Sequence, residues 1–190
     1  FHEKLKNYLR QYYYVGGMPE VVKYYVQTKE IFHVREIQNK ILLNYRQDFS
    51  KHIPGSLLTK VNLVWDSVPA QLAKENKKFI YGMLKKGGRA KEFEDAIQWL
   101  VDAGLVFRVN RINKVCMPLK FYEEFNAFKL YLLDLGLLGA MVDAPARNIL
   151  IGDNVFKEYK GAFTEQYVAQ QIVACNVTPK YYNNENSTNE

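Results

Sequence analysis

Cysteine and histidine are scarce in this chain of 190 residues, which has only Cys116 and Cys175 and the three histidines His2, His33 and His52. No cysteine stands at metal-ligand spacing from a histidine, and no two histidines lie four residues apart, so neither a zinc finger nor a helix-borne histidine pair is encoded. Two thiols isolated in sequence read as a protein of the reducing cytoplasm rather than as a disulfide framework. A phosphate-binding loop is also missing. Gly16-Gly17 and Gly87-Gly88 lack both the spacing of Gly-x-x-x-x-Gly-Lys-Ser/Thr and its closing pair, so they read as turns that exploit positive φ. Long apolar runs are absent too. The richest stretch, Phe128 to Val142, is broken by Lys129, Asp134 and two glycines, well short of the roughly 18 uninterrupted apolar residues a membrane helix needs. No signal peptide is visible.

What the chain does hold is core-forming material: 48% of its residues are hydrophobic and 14% aromatic, enough to bury a core of one large or two small domains. Because it opens on Phe1 and stops at Glu190 inside a polar run, it reads as a trimmed piece of a larger protein. The formal charge is +6. From Gln71 to Lys120 the bases Lys74, Lys77, Lys78, Lys85, Lys86, Arg89, Lys91, Arg108, Arg111, Lys114 and Lys120 face only Glu75, Glu92, Glu94, Asp95 and Asp102. That window holds the entire surplus, so an anionic partner should meet it first.

Helical spacing of Leu5, Tyr8, Leu9, Tyr12 and Tyr13 stops at Gly16-Gly17-Met18-Pro19 and restarts with Val21, Val22 and Tyr25. This is a helix, a tight turn and a second helix with Pro19 in its first turn. A longer helix from about Glu30 to Lys51 lines up Val34, Ile37, Ile41, Tyr45 and Phe49. Pro54-Gly55-Ser56 marks a boundary. Beyond it a short amphipathic segment holds Leu57, Leu58, Val61, Val64 and Trp65, a new helix starts near Ser67-Val68-Pro69, and Phe79 to Lys85 is a further helical piece. Phe93, Ile97, Leu100 and Val101 then share one side of a helix that Gly104 ends. Alternation at Leu105, Phe107 and Val109, and again at Phe128, Leu130 and Leu132, gives a β-hairpin with a long tip around Asn113 to Asn126. Short helices followed by a hairpin are the winged-helix order. After Gly136 the chain returns to helix, through Phe163, Tyr167, Gln170 and Gln171, and Pro179-Lys180-Tyr181-Tyr182 starts a strand. The expected class is mainly α with a small β component, divided as a helical segment 1–55, a winged-helix-like domain 56–135 and a truncated α/β piece 136–190.

Charge and spacing single out Lys85, Lys86, Arg89, Lys91, Arg108, Arg111 and Lys114 as nucleic-acid-binding candidates, since winged helices commonly place the last helix in the major groove and the wing on the backbone. Glu92, Glu94, Asp95 and Asp102 on that helix would repel phosphate, so backbone or wing contact is favoured over base reading. Glu123-Glu124 read as solvated acids of the wing tip. Glu165, in Thr164-Glu165-Gln166-Tyr167, is a weak metal candidate because nothing near it in sequence supplies further oxygen ligands. As a helix-start acid it would instead favour the macrodipole. No catalytic residue is assigned.

Three strings, Tyr14-Val15-Gly16-Gly17-Met18-Pro19-Glu20-Val21-Val22, Leu132-Leu133-Asp134-Leu135-Gly136-Leu137-Leu138 and Gly161-Ala162-Phe163-Thr164-Glu165-Gln166-Tyr167-Val168, resemble in order and spacing the prokaryotic AAA-superfamily ATPases that carry domain of unknown function 4143. The resemblance implies an ATPase core upstream of Phe1, with ATP and Mg belonging to that parent protein and no cofactor in this chain. It implies a lid-like first segment, a winged helix, and the opening of a restriction-endonuclease-like fold in which Glu165 matches the acid of the first helix. The function expected is a non-catalytic accessory region that positions a partner, DNA foremost, for that motor. The alternatives are a fragment of a metal-dependent nuclease and a protein-interaction module. The expected partners are the upstream ATPase domain and DNA, with no membrane, and oligomers are left open.

Overall fold

The computed structural model describes residues 1–74 and 78–183; Glu75 and Lys77 of the basic window, and Asn184 onward in the tail, lie outside the described residues. In chain order the elements are α1 His2–Val15, α2 Pro19–Thr28, α3 Phe32–His52, α4 Gly55–Ala73, α5 Ala90–Asp102, β1 Val106–Ile112, β2 Glu123–Leu132, α6 Leu135–Met141, α7 Ala146–Ile151, α8 Asn154–Ala174 and β3 Tyr181–Tyr182. The chain is mainly α with a small three-stranded sheet, as its periodicities require. In that sheet β1 lies centrally, antiparallel to β2 and parallel to β3.

The helix boundaries follow local chemistry. Gly16 ends α1 at φ +73°, and Pro19 opens α2, where its missing N–H costs nothing. Gly104, at φ +69°, turns the chain from α5 into β1. The break expected at Ser67-Val68-Pro69 is not there: α4 is one helix with Pro69 inside it. An interior proline costs about 3 kcal/mol. The stripe Val61, Val64, Trp65, Val68 and Leu72, almost fully buried, outweighs that at about 1.5–3 kcal/mol per large apolar side chain.

The helix expected over Phe79 to Lys85 shrinks to one 3-10 turn, Tyr81–Met83. Here the backbone finds better partners outside a helix: Phe79 N–H donates to Phe128 O at 2.6 Å. The Gln71 amide also takes both the N–H and the C=O of Ile80, each at 3.0 Å. The hairpin pairs further than expected, from Val106↔Leu132 to Ile112↔Glu123, with a register shift between Asn110 and Arg111. Glu123 and Glu124 therefore belong to the ladder rather than to the tip, which is closed by Asn113 N–H to Tyr122 O at 3.0 Å.

One buried cluster runs from Tyr13 to Ala169 and draws on all three expected segments. Phe49 packs edge-on against Trp65 and Trp99, tying α3 to α4 and α5. Phe79, in the segment between α4 and α5, stacks on Phe128 of the hairpin, and Tyr13 meets Phe156 and Phe163, joining α1 to α8. These rings fill one core, within which the polar side chains of Gln38, Asp134 and Gln166 are also buried.

Candidate nucleic-acid interface and the signature junction

The seven basic candidates separate into two groups. Lys85, Lys86 and Arg89 are exposed on the turn that enters α5 and Lys91 in the helix's first turn, and no ion pair among the described residues involves them. Gly87 makes this turn possible with φ +77°, and Gly88 packs where a Cβ would meet the Tyr81 carbonyl at 2.8 Å. The four cations surround a helix N-terminus, whose free N–H groups already favour anions.

Arg108 and Arg111 face inward instead. The Arg108 guanidinium pairs with Glu94, donates to Phe125 O at 2.9 Å and lies 3.9 Å from the centre of the Phe128 ring. Arg111 is held by Glu124 through Nε and Nη2, both at 2.6 Å. These arginines fasten the hairpin to α5 and close its ladder, so their charge is spent before any partner arrives. Lys114 stays exposed on the tip, with Nζ 5.7 Å from the Tyr122 ring centre.

The outward face of α5 is acidic: Glu92, Asp95 and Asp102 are exposed, and the Gln98 amide is turned into Asp102 at 2.7 Å. Glu94 differs from them, since it binds Arg108 and accepts from Tyr81 OH at 3.2 Å. Burial and the Glu94 charge together push the Tyr81 phenol up to about 12.

A second constellation explains the three sequence strings, because they meet at one polar junction. The Asp134 carboxylate accepts Gly17 N–H at 2.6 Å and caps α6 by accepting Leu137 N–H at 3.0 Å. Burial still raises its pKa above the ordinary carboxylate value, against the pull of those hydrogen bonds. Gly16 sits so close that a Cβ would lie 2.8 Å from Gly136 N and overlap Asp134. Gln38, fully buried, donates to Tyr14 O at 2.8 Å and Val15 O at 3.0 Å. Arg35 supports Gln38 at 2.8 Å and reaches Ala144 O at 2.9 Å, with its guanidinium over Tyr14; burial lowers its pKa.

From α8, Gln166 completes the edge of β2 by taking Leu132 N–H at 2.9 Å and Leu132 O at 2.6 Å. Gln170 accepts Leu135 N–H at 3.0 Å and donates to Tyr12 OH at 3.0 Å. Each of these buried polar groups substitutes for water that the backbone has lost. The strings thus serve as an interlock of α1, α3, α6 and α8.

Glu165 is engaged in the same way, accepting Lys129 Nζ at 2.5 Å and Tyr131 OH at 2.9 Å. Burial and the Glu165 charge drive the Tyr131 phenol far above its usual range. The cavity beside them, lined by Gln71, Phe79, Lys129 and Glu165, is about 10 Å³, room for at most one water. Among the described residues no group of three or more His, Cys, Asp or Glu could hold a metal ion. Cys116 and Cys175 are free thiols. No helix among them is long and apolar enough to cross a membrane.

The roles of Arg35, Gln38, Gln166 and Gln170 carry no mark in a single sequence, because most of their partners are backbone atoms remote along the chain. The hairpin tip did carry a signal: Val115, Met117 and Phe121 are apolar residues inside an expected loop, where solvation normally selects polar ones.

Comparison with known proteins corrects the expected kinship. The family model that matches, over residues 6–148, is that of a domain of unknown function, DUF8612. Neither domain of unknown function 4143 nor an AAA ATPase is matched, so an ATPase parent has no support. The first two strings lie inside the matched region and the third outside it. Short glycine-proline and leucine-glycine strings answer to packing demands that unrelated helical proteins share, which is how the resemblance misled. No curated protein and no solved structure matches. With most of its length covered by that model, the chain belongs to the DUF8612 family.

Proposed function

We propose that this protein is a non-catalytic binding module that holds DNA by its phosphate backbone at the turn leading into α5. The observation that carries this reading is the contrast between cations. Arg108, Arg111, Lys129 and Lys180 are each neutralised by a carboxylate, whereas Lys85, Lys86, Arg89 and Lys91 stand exposed and unpaired among the described residues. Four uncompensated charges within seven residues attract a polyanion and release its counterions. The acidic outer face of α5 supports backbone contact rather than insertion of that helix into a groove. A non-catalytic role is supported by the carboxylates Glu94, Glu123, Glu124, Asp134 and Glu165, all committed to neighbours. The free thiols fit a cytoplasmic location.

The test is fluorescence anisotropy of a labelled duplex across a salt series. The four phosphate contacts of the turn contribute about −3 to −4 to the slope of log K against log salt. The Lys85→Ala/Lys86→Ala/Arg89→Ala variant should lose about three-quarters of that contribution. Absence of binding at ~20 mM salt, where electrostatic contacts are strongest, or a triple variant that binds like the parent, would reject the reading.

A further inference from the structure

The tip of the hairpin presents an apolar surface that the phosphate contact does not use. Val115, Met117 and Phe121 are 68%, 79% and 81% exposed, although single exposed apolar residues are ordinary only when scattered. The tip is held out rather than left to fold back. Its neck is closed by Asn113 N–H to Tyr122 O, and inside it Phe121 N–H donates to Pro118 O at 3.1 Å. Its base is locked by the Arg111–Glu124 pair, by Asn110 Nδ2 to Glu123 at 3.0 Å, and by Lys180 to Glu123 at 2.8 Å.

Between Asn113 and Tyr122 the only charged residues are Lys114 and Lys120. An apolar point flanked by two cations complements a surface that is anionic outside and apolar within. Arg108 adds the geometric argument, because it joins Glu94 of α5 to the Phe125 carbonyl of β2. The base of the hairpin and α5, which the basic turn enters, are thereby fastened together.

We propose that the hairpin tip wedges Met117 and Phe121 into a base step of the duplex DNA whose phosphates the basic turn holds, with Lys114 and Lys120 on the flanking phosphates. The inference rests on the reading given under Proposed function. Apolar wedges of this kind partly unstack a base step and bend the duplex. No bond is made or broken.

The experiment uses the full chain and a short duplex carrying 2-aminopurine, whose fluorescence rises on unstacking, with anisotropy measured in parallel. The parent should bind with a fluorescence increase. A Met117→Ala/Phe121→Ala variant should lose the increase and bind about ten-fold more weakly or worse, at an unchanged salt slope, and a Met117→Ala/Phe121→Trp variant should restore the signal. Circular dichroism should show the same melting for all three, since both side chains lie in solvent. If the double variant binds and unstacks like the parent while Lys85→Ala/Lys86→Ala/Arg89→Ala loses binding, the wedge is wrong and the backbone reading stands. If the parent binds no duplex, both fail. Tip-dependent binding to phosphatidylserine vesicles with none to the duplex also overturns the wedge.

Discussion

Replacing Gly16 by alanine probes the interlock at its tightest point. Gly16 has φ +73° and ψ −162°, a region essentially reserved for glycine and costing a side chain about 1–3 kcal/mol. The added Cβ would also lie 2.8 Å from Gly136 N and collide with the Asp134 carboxylate, so Asp134 must move. Moving it forfeits the bond from Gly17 N–H and the cap on Leu137 N–H, each worth about 1 kcal/mol. The total is about 3–5 kcal/mol, a large part of the 5–15 kcal/mol that typically holds a domain together. Urea denaturation followed by the fluorescence of Trp65 and Trp99 measures it. Gly87→Ala is the control: φ is +77° there too, but nothing lies within 4 Å of its Cβ, so only the backbone cost of about 1–2 kcal/mol remains. Equal losses for the two variants, or a Gly16→Ala loss under about 1 kcal/mol, would refute the reasoning.

Two further substitutions test the polar supports. Gln166→Leu keeps the volume but strands the N–H and C=O of Leu132, so the urea midpoint should fall by the equivalent of about 2–4 kcal/mol; hydrogen exchange should quicken at Leu132 first. Glu123 and Lys180 are each 9% exposed and 2.8 Å apart, and Lys180, more than the Asn110 bond, holds the Glu123 carboxyl below its ordinary value. With the folded pKa below the unfolded one, the native state binds fewer protons, and stability rises with pH through that window. The contribution should be complete above about pH 4.5 and vanish as pH falls through the folded value. Glu123→Gln should remove that dependence and cost about 3 kcal/mol, read by thermal melts from pH 3 to 7.

The residues that act through neighbours in sequence were the legible ones. Gly16, Gly17 and Pro19 announced the α1–α2 turn, and Phe93, Ile97 and Leu100 with Gly104 marked α5 and its end. Alternation placed the hairpin strands near their final positions. Pro69 misled because a local rule was outvoted by burial of Trp65, Val68 and Leu72, a tertiary effect. Glu123 and Glu124 looked solvated for the same reason in reverse, as their partners Lys180 and Arg111 are fixed only by the sheet. The basic window was visible as composition. Which of its members keep their charge free was not, since Arg108 and Lys85 are indistinguishable until Glu94 is placed beside one of them.

The most direct test of backbone binding at the α5 turn is a titration of isotope-labelled protein with a short duplex, followed by amide shifts in heteronuclear NMR. The expected result is perturbation at residues 85–91, joined by the tip residues 114–121 when the wedge is seated, with α1, α3 and the outer face of α5 undisturbed and the shifts collapsing as salt is raised. Shifts centred on Asp95, Gln98 and Asp102, or no shifts at low salt, would contradict it.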